Sequence, residues 1–79
     1  MLILENLRKV NNNVFADFYF PGSEARGKVA FDAQKKAVVE IDCGERDAES
    51  IYGIRHLTNV LRMMADNNKY PERFEYYWY

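Results

Sequence analysis

Two side chains in this sequence could do chemistry largely on their own account, Cys43 and His56, and each is the single residue of its kind. A thiol beside an imidazole becomes a nucleophile when its pKa is lowered and an oxyanion site faces it. Cys43 stands just before Gly44 with no known nucleophile signature around it. Free cysteine is among the most buried residue types, so core packing is its plainer reading. His56 follows Tyr52 by one helical turn, a spacing at which side chains can touch. Tyr52, His56 and Cys43 are therefore the one patch that could serve a small enzyme or a ligand-binding protein. On a helical wheel His56 lies with Tyr52, Asn59 and Met63, off the apolar stripe. Its plainer reading is a helix shoulder partly covered by a loop, because no spacing supplies a nucleophile or second ligand.

The segment from Glu40 to Asp47 holds four carboxylates in eight residues. It lacks the alternating Asp/Asn ligands, central Gly and distal Glu of a calcium loop. Glu40 and Asp42 would share a solvated strand face, and Asp47 suits a helix cap. No metal site is expected. No Walker loop, dinucleotide Gly pattern, HExxH or CxxC occurs, so no cofactor is expected either. The formal net charge of -1, with Lys and Arg scattered among acids, argues against nucleic acid as a partner. No run approaches the roughly 18 apolar residues of a membrane span. Only Leu2, Ile3 and Leu4 precede Glu5, so no secretory signal is expected. One cysteine and no export signal fit a reducing cytoplasm.

These residues need a scaffold. Residues 2–10 and 14–20 are rich in β-formers, and Asn11-Asn12-Asn13 between them is turn chemistry, which makes a hairpin. Pro21-Gly22-Ser23 marks another turn. Strands follow over about 27–32 and 37–43, joined by the polar Ala33-Gln34-Lys35-Lys36. The helix spans about 48–67, with Ile51, Ile54, Leu57, Leu61, Met64 and Ala65 on one face. Gly53 borders that stripe and would permit close approach to the sheet. Asn67-Asn68 and Pro71 stop the helix. Five of the last six residues are aromatic, too much apolar area for a frayed end, so they form a fifth strand.

Alternation then sorts the faces. Val14, Ala16, Phe18 and Phe20 share one side of the second strand, and Phe15, Asp17 and Tyr19 the other. Val29 and Phe31 pair with Val39 and Ile41 in the core. Phe74, Tyr76 and Trp78 share a side opposite Glu75, Tyr77 and Tyr79. One helix covers one face. The open face then shows Phe15, Tyr19, Tyr77 and Tyr79 among Asp17, Lys28 and Glu75. Cross-strand aromatic pairs that stabilise a solvated sheet are the plainer reading, and a contact surface is the sharper one, since Tyr and Trp are enriched at interfaces.

The loop Pro21-Gly22-Ser23-Glu24 leading to Gly27-Lys28-Val29, the Ser50, Tyr52 and His56 spacing and the terminal Trp78-Tyr79 carry a resemblance. The chain resembles a group of small bacterial proteins of similar length and unassigned function. The resemblance implies a bacterial cytoplasmic protein and transfers no site residue.

The expectation is one α+β domain over residues 1–79: five mostly antiparallel strands and one helix in the order ββββαβ. A domain of this size without a disulfide or metal is marginally stable alone, which gives self-association a physical motive. The expected function is a non-enzymatic interaction module, either a homo-oligomer or the binder of another protein. Its candidate contact residues are Phe15, Tyr19, Tyr52, His56, Tyr77 and Tyr79.

Overall fold

A computed structural model describes residues 1–22, 26–42 and 48–77, with the side chains of 48–52 left out of account. It contains β1 (Leu2–Val10), β2 (Asn13–Tyr19), β3 (Arg26–Asp32), β4 (Ala37–Asp42), α1 (Ala48–Asn67) and β5 (Phe74–Tyr76). The strands form one sheet in the order β4-β3-β2-β1-β5, every pair antiparallel. This is the expected α+β fold. The helix leaves from the β4 edge and returns the chain to the opposite edge, where β5 pairs with β1.

Local chemistry explains the connections. The β1–β2 loop is two residues long, since Val10 pairs with Asn13. Asn11 takes a left-handed φ of 56°, which asparagine accepts more readily than most residues. The Asn12 carbonyl accepts a hydrogen bond from Ala33 N–H at 2.8 Å, tying this loop to the β3–β4 turn. In that turn Asp32 Oδ1 accepts from the amides of Gln34 and Lys35, each at 2.9 Å. The helix ends as its asparagines imply: Asn68 is left-handed with φ 52°. Asn68 N–H donates to Ala65 O at 3.3 Å and Lys69 N–H to Met64 O at 3.1 Å, the paired bonds of a Schellman stop.

Two bulges correct the simple alternation. Between Glu5 and Arg8 on β1 three steps face two on β2, with Asn6 at φ 53°. The extra residue turns Leu7 into the core beside Leu2 and Leu4. On β4 the register slips between Ala30 and Phe31 of the partner strand. Phe31 therefore lies opposite Val38, while Val29 keeps Ile41. The expected core position of Val39 is wrong: Val39 is 65% exposed and Val38 packs inward instead.

The helical stripe is also rotated from expectation. Leu57, Val60, Leu61 and Met64 are buried, whereas Ile54 is only half-buried. Gly53, read as a border residue, lies within the stripe. A Cβ there would overlap the Phe20 ring. Phe20 in turn meets Phe18 edge-on, ring centroids 5.9 Å apart. Phe18 sits over Gly27, where a Cβ would overlap its ring and come within 2.6 Å of the Asp42 carbonyl oxygen. Two phenyl rings thus fill the hollows of two glycines, one on β3 and one on α1. The expected cap Asp47 and the stripe side chain Ile51 lie outside the described residues and side chains. Farther along α1, Arg62 Nε donates to Lys36 O at 3.2 Å, and Lys36 Nζ pairs with Asp66, which fixes the helix end against the β3–β4 turn.

The glycines are expected to differ. Gly27→Ala meets a fixed backbone oxygen and a buried ring, and should destabilise by about 1–3 kcal/mol. At Gly53 alanine gains about 1 kcal/mol of helix propensity but must displace the Phe20 ring. Gly53→Ala should therefore stabilise only relative to a Phe20→Ala background, where the ring is absent. Urea unfolding of the four-member cycle measures this; an equal effect of Gly53→Ala in both backgrounds would refute the packing.

Candidate functional site

The uncovered face of the sheet carries three of the residues singled out from sequence, Phe15, Tyr19 and Tyr77. Across it Arg26, Tyr19, Ile3 and Glu75 stand in register. The next row is Asp42, Lys28, Asp17 and Glu5. The aromatic rings there already have partners within the chain. The Arg26 guanidinium lies 4.3 Å from the Tyr19 ring centroid, and that of Arg8 lies 5.4 Å from Phe15. Arg8 Nη1 also donates to the Asn6 carbonyl at 2.7 Å, closing the β1 bulge. Arg73 donates to Glu75 at 2.9 Å. The hydrogen bond to Glu75, and after it the nearby Tyr19, hold its guanidinium above its ordinary pKa. The Tyr77 hydroxyl donates to Glu75 at 3.3 Å, and Asn6 Nδ2 to Asp17 at 2.8 Å. Beneath this layer Ile3 is only 5% exposed. The rings on this face thus stand against arginines of the neighbouring strands, where cross-strand aromatic pairs were expected.

His56 lies on the other side of the sheet. Its half-buried ring is 5.7 Å from that of Tyr76 and tilted by 42°. The helix shoulder is thus covered by β5, where a loop was expected. Tyr52 is on α1, but its side chain is not described, and Cys43 and Tyr79 lie outside the described residues. The sheet separates His56 from Phe15, Tyr19 and Tyr77, so the expected contact residues do not form one surface. Among the described residues no three His, Cys, Asp or Glu side chains are grouped to hold a metal ion. No helix among them is long and apolar enough to cross a membrane.

A third surface was not legible in the sequence. Where α1 stops and the chain turns back toward β5, Met63, Met64, Asn67, Lys69, Tyr70, Pro71 and Phe74 line an open groove of about 680 Å³. Its walls follow from elements already described. The Schellman stop reverses the chain at Asn68. Pro71 then limits the backbone, and Leu7 N–H donates to the Glu72 carbonyl at 3.1 Å, joining the return to the bulged part of β1. Tyr70 is partly buried against the core, and Lys9 Nζ lies 5.7 Å from its ring centroid. Met63 stands 41% exposed on the rim. The available signal was Met63 itself, an apolar side chain on the polar side of the wheel, two turns after His56.

Comparison with protein-family models, with curated proteins and with solved structures found no match. Function therefore has to come from the chain's own geometry.

The uncovered face yields a direct check. In a double-mutant cycle, Tyr19→Ala and Arg26→Ala should show a coupling of about 0.5–1 kcal/mol. The pair Phe15 and Arg8, with its longer separation, should couple less. Additive effects in urea unfolding for Tyr19 and Arg26 would mean that the stack contributes nothing to the fold.

Proposed function

We propose that this chain is a non-enzymatic interaction module that receives an apolar group of a protein partner in the groove between the end of α1 and the return to β5. The observation that carries this reading is the groove itself, with Met63 exposed on its rim and Met64, Tyr70 and Phe74 forming an apolar lining. Binding sites are concave, largely apolar and commonly 300–1,000 Å³ in volume. Methionine suits such a surface because its unbranched thioether adapts to differently shaped groups. The uncovered face competes poorly, since its aromatic rings and arginines are already engaged with one another.

The test uses an anilinonaphthalene sulfonate as an apolar anionic probe, with binding mapped on the methyl resonances of the three methionines. The expected result is saturable binding that shifts Met63 and Met64 while near-UV circular dichroism stays native. Met63→Gln removes about one methylene equivalent of apolar burial, ~0.8 kcal/mol, and should weaken binding about fourfold. It should leave stability within about 0.5 kcal/mol, as for other exposed positions. Tyr19→Glu, on the opposite face, should not alter probe binding. If Tyr19→Glu abolished binding and Met63→Gln did not, the site would lie on the sheet and this reading would be wrong.

A further inference from the structure

The charges around the groove say what kind of partner it suits, an inference that rests on reading the groove as a binding site. Among the described residues that line it, Lys69 is the one charged side chain. Lys9 adds a second cation above Tyr70. Of the neighbouring acids, Asp66 pairs with Lys36, and Glu72 lines the adjoining hollow with Asn6, Leu7, Arg8 and Tyr70, outside the lining of the groove.

A helix C-terminus ordinarily favours cations, through its unpaired carbonyl groups. Here two of the terminal carbonyls are paired by the backbone turn itself. Met64 O accepts from Lys69 N–H and Ala65 O from Asn68 N–H. Met63 O accepts from Asn67 Nδ2 at 2.9 Å. The backbone turn thus takes up part of the negative end of α1, and the formal charges beside the groove are those of Lys69 and Lys9.

The groove is open to solvent, so it admits a side chain that remains joined to a larger body outside. From this geometry we infer that the occupant is a protein segment presenting an apolar side chain with a carboxylate beside it. The apolar side chain lies against Met63, Met64, Tyr70 and Phe74, and the carboxylate meets Lys69.

The full chain, with methionine methyls labelled with carbon-13, is titrated with two blocked dipeptides, acetyl-leucyl-glutamyl amide and acetyl-leucyl-lysyl amide. The glutamyl peptide should shift Met63 and Met64 and bind about threefold more tightly than the lysyl one, the size of an exposed ion pair. The preference should vanish in Lys69→Gln and shrink at high salt. Equal binding of both peptides would overturn the acidic assignment and leave the groove reading standing. If neither peptide moved these methyls, both would fall. Shifts produced by raising the protein concentration alone would mean that a second copy fills the groove, and would overturn the assignment to a separate partner.

Discussion

The distance between helix and sheet is set by two phenyl rings held between two glycines. Phe18 lies over Gly27, Phe20 lies against Gly53, and the rings meet edge-on. Any Cβ at either glycine would have to occupy space that a ring already fills. The arrangement lets α1 approach closely enough to bury Leu57, Val60, Leu61 and Met64 against Leu2, Leu4, Val14 and Phe31. Interiors are close-packed and yield little to added volume, so this contact fixes the rotation of the helix about its axis. That rotation is why Val60 is buried and Ile54 is not. It also leaves Met63 on the rim.

The sheet is finished at its edges in two different ways. β4 carries a bulge that pushes Val39 outward and breaks the regular row of edge groups, a common protection against pairing with another chain. β5 is only three residues long, and the Tyr76 ring rests beside His56 of the helix. Because the helix covers one face, the other must satisfy itself with its own side chains. It does so through Arg8 on Phe15, Arg26 on Tyr19 and Arg73 between Tyr19 and Glu75. The rings of the open face therefore serve the fold through arginines of the same chain.

The groove arises where this economy runs out. At the end of α1 the chain must stop, reverse and reach β1, and the Schellman turn, Pro71 and the Leu7–Glu72 hydrogen bond accomplish that. The return crosses the sheet end without filling the space beside Met63 and Phe74. The result is a concave apolar surface with a cationic side, built by a connection needed for the fold itself.

Much of the fold was legible in the residues. β-rich runs bounded by asparagine and Pro-Gly turns marked the hairpins, a period near 3.6 marked the helix, and the dense aromatic tail implied a paired strand. These are local properties, decided by backbone preference and the alternation of side chains, so a sequence states them directly. The position of Val39, the extra residue near Asn6 and the place of Gly53 within the stripe were not legible. A bulge depends on which residues the neighbouring strand presents, and helix rotation depends on which ring needs a hollow. The groove was hidden most deeply, because the turn that shapes it is tied to β1, with Leu7 bonded to Glu72 and Lys9 over the Tyr70 ring. Only packing decides such neighbours: they are distant in the chain and share no periodicity that could announce them.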